Sequence, residues 1–189
     1  MNAMQNPVAV AHPDKELLLS LLRESRERFL GSFAGVSDEQ SRLRPAPDCW
    51  CVLETVEHLT SAEGIMLKLV VGMRRPRAAD APNREKAFLT VVADRSRKMQ
   101  SPEGARPSGR FASLDAAAAQ FKTSRNETIR FVEQNTEDLR ATEVTHPHPM
   151  AGNVSTYEMV IIMAKHAERH AKQIDEIRET LKTRSAAIS

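Results

Sequence analysis

The chain has 189 residues, of which 41% are hydrophobic and 4% aromatic, and its formal net charge is +2. This length predicts a single domain over residues 1–189, with one core built from Leu, Ile, Val, Met and Ala. The small net charge gives no support to a nucleic-acid-binding protein, and no apolar run is long enough to span a bilayer. Abundant Ala, Leu, Glu, Lys and Arg beside only seven glycines favour an all-α fold.

The two cysteines predict the compartment. Cys49 and Cys51 flank Trp50, and the chain has no other cysteine. One intervening residue makes a disulfide between the two geometrically awkward, so the pair predicts free thiols in a reducing compartment. The N-terminus lacks a basic start followed by an apolar stretch. The sequence therefore predicts no signal peptide and a cytoplasmic location.

The predicted elements begin after a loose N-terminus at residues 1–12. Proline suits the first position of a helix, so Pro13 predicts the start of a first helix, which ends in the glycine-containing segment 31–35. Ser37 and Gln40 have the spacing of a capping box and predict a short helical turn.

A long basic connection separates the next helices. A second helix is predicted over residues 51–73, and a shorter one over 84–99. Residues 72–110 contain ten Lys or Arg and four Asp or Glu, a local charge of 10 − 4 = +6 that leaves −4 for the rest of the chain. We interpret this segment as a solvated connection; the alternative is an attraction for anionic ligands or nucleic acid.

Two long helices are predicted in the second half of the chain. One covers residues 114–135, and a mostly irregular stretch follows at 136–152. A capping box at Ser155 begins the other, which ends near residue 182 before a loose C-terminus at 183–189. Four long helices and a short one predict a four-helix bundle, and the long connection argues against plain up-down-up-down connectivity.

Three histidines on inward-facing helix stripes predict a metal site. His166 and His170 fall within about 40° of each other and about 6 Å apart along the axis, a spacing at which one helix offers two imidazoles to one ion. This pair alone is also compatible with ordinary buried histidines. His58 lies on the inner stripe of another helix, and burying three imidazoles together is unfavourable unless something holds them neutral. The trio therefore predicts a divalent metal with at least one open coordination position.

Two polar residues are candidates to orient these imidazoles. Glu54 lies one turn before His58, and Gln173 lies about one turn after His170, so each could accept a hydrogen bond from the ring beside it. Gln173 could also serve as a weak extra ligand. Residues at such positions are more often solvated or packing side chains. Cys51 lies two turns from His58, roughly 10 Å along the axis, which makes direct ligation unfavourable.

The remaining histidines and common catalytic motifs add no second site. His12, His146 and His148 lie in terminal or loop sequence and are predicted to be ordinary surface histidines, and Trp50 is expected to plug one end of the bundle. The chain contains no His-Glu-x-x-His, phosphate-binding glycine loop or Gly-x-Ser-x-Gly elbow. Catalytic and cofactor-binding residues beyond the metal ligands are therefore not assigned.

The ordered set of motifs resembles the DinB/YfiT-like family. The matching residues are Trp50, the segment Glu54-Thr55-Val56-Glu57-His58-Leu59, His146-Pro147, Gly152, Ser155-Thr156 and the segment His166-Ala-Glu-Arg-His170-Ala-Lys-Gln173-Ile174. The resemblance implies a four-helix bundle of up-down-down-up connectivity. It also implies a metal, often nickel or zinc, on His58, His166 and His170.

The same resemblance implies a homodimer that acts on a small molecule. Characterised relatives include metal-dependent transferases that use low-molecular-weight thiols, so we expect such a transferase, with the thiol as co-substrate. One alternative is a metal-dependent hydrolase that activates water, with Glu54 as the candidate general base. Another is a non-enzymatic metal-binding stress-response module. Neither nucleic acid nor a membrane is an expected partner.

Overall fold

A computed structural model of the chain describes residues 13–97 and 99–187. The predictions for residues 1–12, including His12, lie outside this part. The helices are α1 Pro13–Ser32, α2 Asp38–Ser41, α3 Val52–Gly72, α4 Glu85–Val91, α5 Leu114–Gln134 and α6 Thr156–Ala186. The strands are β1 Arg75–Pro76, β2 Thr142–Thr145 and β3 Asn153–Ser155, and a 3₁₀ turn covers Glu103–Ala105.

The four long helices form the predicted bundle. Helix α1 packs against α5 and α6, and α3 packs against the same two helices. The connectivity is up-down-down-up, and the long connection between α3 and α5 carries α4 across the outside of α6. No helix in the described part of the chain combines the length and the apolar character that crossing a membrane requires.

Local capping explains where the helices begin. Ser37 and Gln40 form the predicted capping box at α2. At α6, the Ser155 hydroxyl accepts from the backbone N–H of Glu158 at 3.0 Å, and the Glu158 carboxylate accepts from the Ser155 N–H at 2.8 Å. These bonds satisfy N–H groups that the first helical turn leaves without partners. Helix α1 ends before Gly35, which adopts a positive φ of 75°.

The stretch at 136–152 is mostly irregular, as predicted, but it contains one short strand that the sequence analysis did not predict. Strand β2 lies there and pairs antiparallel with β1 and with β3. Val144 and Val154 are fully buried partners in this small sheet. Its strands are only two to four residues long, too short for an alternating pattern to be visible in the sequence.

Two helix ends also differ from the prediction. Helix α4 ends at Val91 instead of residue 99, because the Asp94 carboxylate caps a turn by accepting from the Ser96 N–H at 2.8 Å. Helix α6 continues to Ala186, so much of the segment 183–189 that was expected to be loose is helical. The Arg184 side chain secures this end by donating to the Pro45 carbonyl at 3.0 Å.

A buried ion pair joins the helices at the centre of the bundle. Glu63 on α3 and Arg125 on α5 form two hydrogen bonds of 2.6 and 2.9 Å, and neither side chain is exposed. Arg125 also donates to the carbonyl of Met163 on α6 at 3.1 Å. The pair thus ties α3 and α5 to α6 one turn before His166.

Candidate metal centre

Three imidazole rings converge between α3 and α6. His58 lies in the second turn of α3, and His166 and His170 lie one turn apart on α6. The Nε2 atom of His166 is 3.4 Å from Nε2 of His58 and 2.9 Å from Nε2 of His170. The structure therefore brings together the three residues that the sequence singled out, and one ligand atom of each lies within 4.8 Å of the others.

Two of the rings are held with Nε2 free of its proton. The Nδ1 atom of His58 lies 2.8 Å from the Ala105 carbonyl oxygen, and Nδ1 of His170 lies 2.9 Å from Oε1 of Gln173. Since both oxygens accept, each Nδ1 donates, and the lone pair of each Nε2 points into the cluster. This is the tautomer that a metal-binding imidazole requires.

His166 is held differently. Its ring is partly exposed, whereas His58 and His170 are 4% and 5% exposed. Its Nδ1 atom is buried without a hydrogen-bond partner in the described part of the chain. Among the three histidines, His166 is therefore the one whose Nδ1 atom no group in the described part of the chain holds.

Burial keeps all three rings neutral. Desolvation lowers the pKa of His58, although the Ala105 carbonyl opposes the shift. Desolvation lowers the pKa of His166 and His170 well below the ordinary value of 6.5, and the positive charge of Arg169 lowers it further. Neutral imidazole is the form that binds a divalent ion.

The nitrogen spacing fits a first-row divalent metal. Nitrogens about 2.1 Å from one zinc ion lie about 3.4 Å apart at a tetrahedral angle and about 3.0 Å apart at a right angle. The two measured Nε2 separations, 3.4 and 2.9 Å, are of this size. The donor set, its tautomers and its spacing all fit a divalent metal ion bound by three imidazoles.

Comparison with known proteins identifies the family of the chain. The sequence pattern of the DinB superfamily matches residues 21–174. The chain belongs to the DinB superfamily. It is 25% identical over 166 residues to the uncharacterized protein YuaE of Bacillus subtilis (strain 168). The alignment covers 86% of this chain and 98% of that protein.

Two solved structures share the fold of this DinB-superfamily chain. One is YfiT from Bacillus subtilis, described as a probable metal-dependent hydrolase with an unusual four-helix bundle topology; its TM-score is 0.60 at 15% identity, over 94% of each chain. The other is a conserved protein from Enterococcus faecalis, with a TM-score of 0.60 at 15% identity, over 90% of this chain and 98% of that one. At this identity the two structures support the bundle topology.

Of the two predicted orienting residues, Gln173 contacts its histidine and Glu54 does not. The Glu54 carboxylate accepts from the Cys51 N–H at 2.9 Å and pairs with Arg44. Glu54 is the third residue of α3, where a carboxylate caps the free N–H groups of the helix start. The prediction for Glu54 was wrong, because this cap competes for the side chain.

The segment around Trp50 lies closer to the site than expected. The Trp50 ring packs against the His58 ring with 4.9 Å between centroids. Cys51 is buried at the N-terminal cap of α3, and Cys49 and Cys51 are free thiols. Trp50 therefore forms one wall beside the three clustered histidines of this DinB-superfamily member.

His146 and His148 are partly buried, contrary to the expectation of ordinary surface histidines. Nδ1 of His146 accepts from the His148 N–H at 3.0 Å, and Nδ1 of His148 lies 3.3 Å from the N–H of Met150. Burial lowers the pKa of His146. Both rings cap the turn between β2 and β3 and lie outside the triad.

Proposed function

We propose that the protein is a metal-dependent transferase that uses a low-molecular-weight thiol, with a divalent ion on His58, His166 and His170. The observation that carries the proposal is the convergence of three neutral imidazoles whose group, among the described residues, contains no carboxylate. Three imidazoles leave coordination positions for a substrate atom, as catalytic metal sites require.

The absence of a carboxylate from this group favours a thiol over water as the activated group. An ion at this site would supply Lewis acidity and lower the pKa of a bound nucleophile. An ordinary thiol has a pKa of about 8.5, whereas that of bulk water is about 15.7, so the thiol needs the smaller shift and less help from a base. Glu54 was the candidate base for hydrolysis, and both of its oxygens are engaged at the start of α3.

Cationic side chains beside the site support an anionic co-substrate. Arg95 donates to Oε1 of Gln173 at 3.3 Å, next to His170, but its charge is already paired with Glu176 at 2.6 Å. Arg106 donates to the carbonyl of Ser101 at 3.2 Å, and the Ser101 hydroxyl lies 3.3 Å from Nδ1 of His58. Positive charge around a cleft raises the local concentration of an anion, so we propose a thiol that carries carboxylate groups.

Metal content tests the first half of the proposal. Purified wild-type protein should contain a stoichiometric divalent ion, nickel or zinc, by elemental analysis. His58→Ala and His166→Ala should lose it, while the matched control His148→Ala, outside the triad, should keep it. Wild-type protein that stays free of metal after reconstitution with both ions would overturn the proposal.

Thiol-dependent turnover tests the second half. The metal-loaded protein should conjugate small anionic thiols to electrophiles, and turnover should disappear in a folded His170→Ala variant. Turnover that is the same in this variant and in the wild type would place the chemistry elsewhere. Arg106→Gln should raise KM for an anionic thiol with little change in kcat, because its charge contributes to binding.

Hydrolysis is the second candidate, and the shared fold with YfiT favours it. Its test is hydrolysis of small esters and amides by the metal-loaded protein with no thiol present. Hydrolysis that is indifferent to thiols would favour this candidate over the transferase. A protein that binds the metal and gains thermal stability from it, yet turns over no substrate, would fit the third alternative, a metal-binding stress-response module.

The proposal also includes the setting in which the enzyme works. Cys49 and Cys51 are free thiols, which supports a reducing compartment such as the cytoplasm. A homodimer remains a proposal from the family resemblance, and sedimentation of the purified protein tests it. Neither nucleic acid nor a membrane is part of the proposed activity.

A further inference from the structure

The connection from residue 92 to residue 110, called the crossover below, contacts both helices that carry the metal ligands. Its first part lies against α6 and its second part against α3. In each part, a buried charged side chain from the ligand helix binds the crossover backbone. That charged residue directly precedes a metal ligand in the sequence: Glu57 precedes His58, and Arg169 precedes His170.

Glu57 holds the second part of the crossover to α3. Its side chain is 1% exposed, and its carboxylate accepts from the backbone N–H groups of Ser108, Gly109 and Arg110 at 2.7, 3.1 and 3.3 Å. Hydrogen bonds from N–H groups to a carboxylate are stronger than those between neutral groups. The same part of the crossover supplies the Ala105 carbonyl that accepts from Nδ1 of His58.

Arg169 holds the first part of the crossover to α6. Arg169 is 7% exposed. Its guanidinium donates to the carbonyl of Asp94 and, at 2.7 Å, to that of Arg97. The same part supplies Arg95, which donates to the Oε1 atom of Gln173 that also accepts from His170. Each part thus reaches the Nδ1 side of one ligand, directly in one case and through Gln173 in the other.

We propose that Glu57 and Arg169 are positioning residues that hold the crossover across the metal site and thereby fix the tautomers of His58 and His170. The proposal rests on the metal site proposed above and names the residues that pre-organise it. Its physical reason is that partners of the non-ligating nitrogen orient a metal-binding imidazole, and their loss typically costs about 10-fold or more in metal affinity.

The first experiment measures ring tautomers in the metal-free protein, by long-range ¹H–¹⁵N NMR of the imidazoles. Wild-type His58 and His170 should both show the proton on Nδ1. Glu57→Gln should produce a tautomer mixture at His58 and leave His170 unchanged. Arg169→Gln should do the reverse. This ligand-specific pattern separates positioning from a general loss of stability, which would alter both rings.

The second experiment measures nickel affinity by competition with a chelator. Its matched control is Glu158→Gln. Glu158 is also fully buried, and its carboxylate also accepts from a backbone N–H of a distant segment, that of Arg84, at 2.6 Å. Glu158 lies eight residues before His166 on α6, about 12 Å along the axis. Glu57→Gln should weaken nickel binding by about 10-fold relative to this control.

Equal nickel affinities in Glu57→Gln and Glu158→Gln, or unchanged tautomers at both rings, would overturn the proposal. If Glu57→Gln does not fold, the proposal is tested instead by comparing hydrogen exchange of the wild-type amides with and without nickel. Nickel should then slow exchange at residues 108–110, and unchanged exchange there would also overturn it. None of these readouts uses a thiol or turnover, so failure of the transferase assay leaves them interpretable.

Discussion

Mild acid should destabilise the metal-free protein through its buried histidines. Burial lowers the pKa of His166 and His170 well below the ordinary value of 6.5. As the pH falls below that value, the unfolded chain takes up protons that the folded chain does not. The free energy of unfolding therefore decreases with falling pH, from about pH 6.5 downward.

The size of this effect follows from proton uptake. One proton bound only by the unfolded chain changes the free energy of unfolding by about 1.4 kcal/mol per pH unit. Between about pH 7 and about pH 5.5, an imidazole that stays neutral in the folded state costs at most about 1.3 kcal/mol, and two cost about 2.5 kcal/mol. Carboxylates act in a separate window. The Leu114 N–H and the Arg42 side chain lower the pKa of Asp38 from 3.8, so its contribution is lost only as the pH falls below that value.

Urea denaturation of chelator-treated protein at these two pH values measures the effect. The loss of stability on acidification should be smaller in His170→Gln than in the wild type, by up to about 1.3 kcal/mol, because one titrating ring has been removed. His166→Gln should behave similarly. An equal loss in the wild type and both variants would refute the reasoning, since the acid sensitivity would then come from other groups.

Three further predictions concern the core, the wall of the site and the metal. Glu63→Gln leaves the buried guanidinium of Arg125 without its carboxylate, so it should lower the free energy of unfolding, measured by urea denaturation, by about 3–5 kcal/mol. A decrease of less than about 1 kcal/mol would contradict this prediction. Trp50 is the only tryptophan and its ring centroid lies 4.9 Å from that of His58, so nickel should quench its fluorescence in the wild type and not in His58→Ala. Chelation should lower the melting temperature, because a free ligand at about 100 times its Kd stabilises the native state by about 2.7 kcal/mol; an unchanged melting temperature would argue against a metal bound to the native state.

The bundle and the triad could be predicted because their signals are local and periodic. A helix predicted over residues 51–73 is observed as Val52–Gly72, since both its capping and its apolar stripe lie within the segment itself. The same periodicity placed His58, His166 and His170 on inward faces. Family resemblance then supplied the connectivity, which periodicity alone leaves open.

The groups that orient the ligands were harder to predict because they come from the crossover. The partner of His58 is a backbone carbonyl, that of Ala105, 47 residues further along the chain, and a carbonyl has no sequence signature. Glu57 and Arg169 were missed because charged residues beside a ligand resemble ordinary solvated positions. One available signal was overlooked: Glu54 is the third residue of α3, where a capping role is favoured over contact with His58.

The three histidines differ in where each ring carries its proton before a metal binds. His58 and His170 carry their protons on Nδ1, held by Ala105 and Gln173. Nε2 of His166 lies 2.9 Å from Nε2 of His170, so in the metal-free protein this bond requires a proton on His166 Nε2. That assignment also explains why the buried Nδ1 of His166 donates to no group in the described part of the chain. Before His166 can act as a ligand, its Nε2 proton must leave, and this ring is the most exposed of the three. We therefore expect the ion and its co-substrate to enter from the side of His166, toward two ligands that the crossover already holds in place.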